Sequence, residues 1–143
     1  MNLIAIILFA ILALLAVFHI IWANRVFWPA KDELSLVKMV IGDPNIRSMP
    51  SSKQTYFIAI ALLIAGIFAL WGGNIIALPL PLWIRELGIF LLAFTFGTRG
   101  LATYMIAKHL GEKTQPFKML DKTLFAPMSL LISIGFIILI VKM

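Results

Sequence analysis

From Leu3 to Ala23 the only ionisable side chain is His19, and three later stretches, Tyr56 to Trp71, Trp83 to Ala107 and Thr123 to Val141, are nearly as apolar. Runs of roughly 17–25 apolar residues are what a helix needs to cross a hydrocarbon core of about 30 Å. Four such runs in 143 residues leave room for one fold class: an all-α integral membrane bundle of four transmembrane helices, a single membrane domain spanning 1–143. The spans are expected at about 3–23, 56–71, 83–107 and 123–141, with long loops at 24–55 and 108–122. Composition agrees, since 62% of residues are hydrophobic and 13% charged, against about a quarter charged in soluble domains. The first span is too long for a signal-peptide core, lacks a basic start and is followed by no A-x-A site, so it is expected to stay in the mature protein.

Charge sets the expected direction. The first long loop carries Arg25, Lys31, Lys38, Arg47 and Lys53, and the second carries Lys108, Lys113, Lys118 and Lys122. Against these nine, the other side offers Arg85 and Lys142. The positive-inside bias therefore places both loops in the cytoplasm and both termini outside. The net charge of +6 suits anionic lipid headgroups rather than nucleic acid, because the basic residues lie in loops between spans. No cysteine is present, which removes disulfides, thiolate metal sites and cysteine nucleophiles. Two histidines far apart make no metal centre, and no cofactor is expected.

The loops differ. Pro29 followed by Lys31-Asp32-Glu33 marks a helix start, Leu34, Val37 and Ile41 fall on one face, and Gly42 with Pro44 supplies a stop. A short amphipathic helix on the inner membrane surface is expected there. The apolar connector Gly72 to Leu82, broken by glycine and proline, should tuck against the bundle or the interface.

Arg99 is the anomaly. A charge at membrane depth costs about 2.5–3.5 kcal/mol on insertion scales and persists where something compensates it. Gly88, Leu92, Thr95, Arg99 and Thr103 are spaced by three or four residues and share a helix face. Small and hydroxylic residues on that face suit a helix–helix contact better than a lipid surface. Arg99 lies nine residues in from Lys108, Ser129 eight in from Asp121, and His19 four above Ala23, so these groups sit at similar depths. His19, Trp22, Arg25, Thr95, Arg99, Thr103, Asp121 and Ser129 are thus candidates for one polar binding pocket in the cytoplasmic half. The plainer readings stand beside it. Arg99 snorkels to the interface or binds carbonyls freed by Pro127, His19 is a hydrogen-bonded interface histidine, and Asp121 caps the last span. The sharper role for Asp121 is as partner of Arg99 or Arg25.

Catalytic signatures are missing from the sequence: no HExxH, no GxSxG, no Walker loop and no acidic cluster for a metal-bound phosphate. The small polar content of Tyr56 to Trp71 also argues against the four-helix enzymes of eicosanoid and glutathione metabolism, which carry charged and amide residues on the second helix.

His19-x-x-Trp22, Trp28-Pro29, Gly42, Met49-Pro50, Phe117-x-x-x-Asp121 and Ala126-Pro127 together resemble a family of small four-helix bacterial membrane proteins catalogued as domain of unknown function 3995. In that family an H-x-x-W-like motif ends the first helix and an aspartate precedes a proline-containing last helix. This chain departs from it after Trp22, where Ala23-Asn24-Arg25 stand in place of the glycines of many relatives. The resemblance implies a bacterial inner membrane and no particular activity. The leading expectation is an accessory or lipid- and partner-binding module that recognises an anionic headgroup, another copy of itself or a larger membrane protein. A small oligomeric transporter and a cofactor-independent enzyme acting on a lipid or isoprenoid, with His19 as base and Asp121 orienting it, are the alternatives.

Overall fold

The computed structural model describes residues 2–105 and 111–143. Among these the chain is all helical: α1 Leu3–Ala23, α2 Glu33–Val40, α3 Ser52–Gly72, α4 Leu82–Met105, α5 Phe117–Leu120, a π turn Asp121–Phe125, and α6 Ala126–Lys142. The α5, π and α6 segments run on as one helical stretch, Phe117–Lys142, which with α1, α3 and α4 gives four helices long and apolar enough to cross a membrane. Lys108 and His109, and the end of the third expected span, lie outside the described residues.

Two spans start earlier than hydropathy alone indicates. At α3, Ser51 and Gln54 form a reciprocal capping box, so the helix begins at Ser52 rather than near Tyr56. At the last span, helical structure begins at Phe117 rather than near Thr123, because the Thr114 carbonyl already accepts from the Lys118 N–H. Polar first turns are invisible to a hydropathy average but stable once capped.

The four long helices form two antiparallel hairpins. α1 packs chiefly on α3, and α4 chiefly on α6. Ala5, Leu8 and Leu12 of α1, Ala65 and Ala69 of α3, Ile89 and Ala93 of α4, and Ile132, Phe136 and Leu139 of α6 make the shared core. Lipid is as apolar as these side chains, so close packing and interhelical hydrogen bonds hold such helices together, and small residues permit the approach. At Gly135 an added Cβ would lie 2.7 Å from the Leu8 side chain. The outward faces are apolar and open, with Phe57 at 70% and Leu131 at 66% exposure.

Both hairpins turn at the same end, which carries the two basic loops and is called the basic end below. There α2 is capped by Asp32, whose carboxylate accepts from the Ser35 N–H at 2.8 Å. Its buried residues are Leu36 and Val37, packed with Met49, while Leu34 is exposed. Val37 and Ile41 of the expected line pack there with Phe27 and Met49, while Leu36 takes the place expected of Leu34. At the opposite end the connector after Gly73 stays largely exposed instead of folding onto the bundle. Asn74, at φ +55°, accepts from the Arg85 guanidinium at 3.0 Å, which ties the connector to the first turn of α4.

Candidate functional site

Near the basic end of the α4–α6 hairpin, Arg99, Thr103 and Asp121 close a ring of hydrogen bonds. Arg99 and Thr103 are one turn apart on α4, and Asp121 opens the π turn. Arg99 Nη2 donates to Asp121 Oδ1, Arg99 Nη1 donates to Thr103 Oγ1 at 3.0 Å, and Thr103 Oγ1 donates to Asp121 Oδ2 at 2.7 Å. The Asp121 side chain is 12% exposed and that of Arg99 44%. Each charge compensates the other, and both carboxylate oxygens are engaged. Asp121 therefore acts as the partner of Arg99 and does not cap the helix. Pairing is how a charge this far along a membrane helix is tolerated.

The π turn follows from Pro127. A proline inside a helix lacks the N–H for the ladder, and its ring collides with the carbonyl four residues back. A one-residue bulge relieves this. The Ala126 N–H bonds the Asp121 carbonyl in the wider register. The next acceptor in that register is the Lys122 carbonyl, whose donor would have been residue 127. Tyr104 fills the place, its hydroxyl donating to the Lys122 carbonyl at 2.7 Å. Deeper in the bundle, Ser133 Oγ donates to the Ala93 carbonyl at 2.7 Å, so a hydroxyl joins α6 to α4 there as well. Ser129 donates within its own helix to the Phe125 carbonyl at 2.8 Å.

The buried line of α4 is Ile89, Ala93 and Gly100, one position from the small-residue stripe expected. Thr95 is exposed and away from the Asp121 ring, its carbonyl accepting from Thr98 Oγ1 at 3.0 Å.

The remaining candidates occupy the α1–α3 hairpin. His19 Nδ1 donates to the Leu15 carbonyl at 2.8 Å, and its ring tilts against Trp22 at 5.1 Å. Trp22 Nε1 donates to the Trp28 carbonyl at 2.9 Å. Arg25 pairs with Glu33 at 3.2 Å, and Glu33 also accepts from the Met49 N–H at 2.9 Å, tying the loop to itself. His19 and Trp22 line a cavity of about 670 Å³ between α1, the first turns of α3 and the intervening loop, which contributes Val40, Ile41, Met49 and Pro50. Lys53, Gln54, Thr55, Phe57 and Ile58 make its α3 side. Arg99, Thr103, Asp121 and Ser129 are not among its walls. The residues expected in one pocket thus divide between two hairpins. Depth along a helix can be counted from sequence, whereas the pairing of α1 with α3 and of α4 with α6 cannot.

The two places are joined through the loops. Gly42, at φ +65°, lies against Phe117, and its carbonyl accepts from both the Thr114 N–H at 2.9 Å and Thr114 Oγ1 at 3.2 Å. One wall of the cavity is therefore fastened to the segment that leads into Asp121. Lys53, Gln54 and Tyr104 were not singled out as site residues from sequence. The Ser51–Gln54 capping spacing was the available signal for the first two, and the acceptor orphaned by Pro127 for the third. Among the described residues no three His, Asp or Glu side chains gather as metal ligands.

Fold and site together define a four-helix, membrane-type bundle with an ion-paired seam in one hairpin and an apolar cavity in the other. The family model described as protein of unknown function DUF3995 matches residues 12–136, and the chain belongs to this family. No curated protein and no solved structure matches it.

Proposed function

We propose that the protein is a binding module for a membrane amphiphile, seated in the bacterial cytoplasmic membrane with both termini outside. The observation that carries this reading is the cavity bounded by His19, Trp22, Met49 and Ile58. Its volume of about 670 Å³ falls in the range of small-molecule sites, roughly 300–1,000 Å³. Its walls are mainly apolar, and Phe57 and Ile58 on its α3 side are exposed on the face a bilayer would cover. A chain can enter from the lipid without crossing water. The ion pair at Arg99 favours this assignment of roles, because its cation is already spent on Asp121 and serves the seam between α4 and α6. The orientation rests on the nine basic residues of the two loops against two on the other side.

Native mass spectrometry from a gentle detergent tests the reading. The parent should release with a bound lipid, and Ile58→Trp or Met49→Trp, which fill the cavity, should lose it while the bundle stays intact. Equal lipid retention in the parent and in both filled variants would overturn it. The same spectra report whether a second copy or a larger membrane protein travels with the chain.

A further inference from the structure

The cavity has a polar corner whose chemistry is one-sided. Its walls include one cation, Lys53, and among the described residues no carboxylate. Lys53 is exposed and has no ion-pair partner among those residues. The acid nearest in the bonding pattern is Glu33, held by the lining residue Met49 through its backbone N–H, and Glu33 is already paired with Arg25. Of the other polar groups, the Gln54 amide is the one with a donor to spare. Gln54 spends its side-chain oxygen on the Ser51 N–H, which leaves the amide NH₂. His19 commits Nδ1 to the Leu15 carbonyl, and a carbonyl only accepts, so Nδ1 carries the proton and Nε2 is left as an acceptor with nothing to donate. Thr55 and Trp22 have their donors occupied by the Ser51 and Trp28 carbonyls.

We infer that the amphiphile held in this cavity carries an anionic oxygen head, a phosphate ester or a carboxylate, bound by Lys53 with the Gln54 amide beside it. The inference rests on the binding reading above and adds the class of ligand to it. A trimethylammonium head would meet Lys53 with like charge. A hydroxyl head would accept from Lys53 and Gln54 but bring no charge to the pairing. An oxyanion accepts from the ammonium and the amide together and adds charge to both bonds, which makes them the stronger kind.

Trp22 is a reporter inside the cavity, so quenching by brominated chains reads occupancy. A variant retaining Trp22 alone, with Trp28, Trp71 and Trp83 changed to Phe, is titrated in detergent with three probes sharing one dibrominated stearyl chain. One ends in phosphate, one in hydroxyl and one in trimethylammonium. A variant retaining Trp83 alone, exposed at the opposite end, gives the quenching expected of surrounding detergent. The phosphate probe should quench Trp22 at a mole fraction about tenfold lower than the other two, the effect of one or two charge-assisted hydrogen bonds. Lys53→Gln should abolish that preference and Lys53→Arg should keep it. Equal quenching of Trp22 by all three probes, above the Trp83 level, would overturn the anionic head and leave the cavity reading standing. Quenching of Trp22 no stronger than that of Trp83 by any probe would overturn the cavity reading itself. Inorganic phosphate should leave the quenching by the phosphate probe unchanged, and full displacement by it would reduce the site to one for a free ion and overturn the amphiphile.

Discussion

The Tyr104 hydroxyl donates to the Lys122 carbonyl, the acceptor that Pro127, lacking an N–H, leaves empty in the register of the π turn. A tyrosine on one helix thereby completes the hydrogen bonding of another, and the proline that disrupts α6 also creates a contact between α4 and α6. Tyr104→Phe should destabilise the protein in detergent by about 0.5–1.5 kcal/mol, the net worth of one hydrogen bond at an exposed position. In a Pro127→Ala background the restored N–H can serve the ladder, and the same change should cost less than half as much. Thermal melting of the four members of this cycle decides it. An equal cost in both backgrounds would mean that Tyr104 does not answer Pro127.

Gly42 and Gly111 both have positive φ, but their surroundings differ. An added Cβ at Gly42 would overlap the Phe117 side chain, whereas at Gly111 it would meet nothing within 4 Å. Both alanine substitutions pay a backbone penalty of about 1–2 kcal/mol. Only Gly42→Ala should also separate the two basic loops, so its melting temperature should fall clearly further, and amides around Thr114 should lose protection from exchange. Matching losses at the two glycines would show that the Gly42–Phe117 contact contributes nothing.

Much of this was legible in the sequence. Hydropathy located all four spans, Asp32 and Gly42 bracketed α2, and Arg99 was marked as a residue in need of a partner. Asp121 was named as a choice for that role. The sequence reading did not resolve rotation about the helix axes. Gly88-Thr95-Arg99 has the spacing of a helix face, but the face that packs is turned by one residue to Ile89-Ala93-Gly100. The π turn adds to the difficulty, since one extra residue in a turn changes the heading of everything before it. Asp121 cannot be aimed at Arg99 by counting in steps of 3.6 from Ser129. His19 and Arg99 share a depth in the sequence, and only the pairing of helices separates them.

Asp32 supplies a pH-dependent element outside the membrane spans. The Ser35 backbone N–H, then the Ser35 side chain and the charges of Lys38 and Lys31, hold its carboxyl below the ordinary value of 3.8. A depressed value means that the capping contribution is present above 3.8 and is lost as pH falls through the lower, folded value. Protection of the α2 amides, corrected for intrinsic exchange, should therefore be level from neutral pH down to the ordinary value of 3.8 and decline as the pH falls below it. Asp32→Asn, which still caps but does not titrate there, should remove the decline. A persistent decline in Asp32→Asn would assign it to another group.

The orientation is open to direct labelling, because the chain has no cysteine of its own. Lys38→Cys in α2 should react with an impermeant maleimide only after the cells are opened, while a cysteine replacing Met143 should react in intact cells. The reverse pattern would invert the bundle and put the cavity on the outer face.

The ring of Arg99, Thr103 and Asp121 makes a graded prediction. Arg99→Leu leaves the Asp121 carboxylate, 12% exposed, with Thr103 as its one remaining side-chain partner among the described residues. A fully buried pair broken in this way costs about 3–5 kcal/mol, and the 44% exposure of the Arg99 side chain brings the expectation nearer to about 1–3 kcal/mol. Arg99→Lys keeps the charge but has no planar fork to reach Asp121 and Thr103 together, so its loss should be smaller. Thr103→Val, close in shape, removes the hydroxyl that links the two and should cost about 1 kcal/mol. The decisive member is the double variant Arg99→Leu with Asp121→Leu. It removes both charges and leaves neither stranded, so it should melt above Arg99→Leu alone. Were Arg99→Leu to melt at or above the parent, the guanidinium would be an interfacial anchor, and the seam would depend on Tyr104 and Ser133 instead.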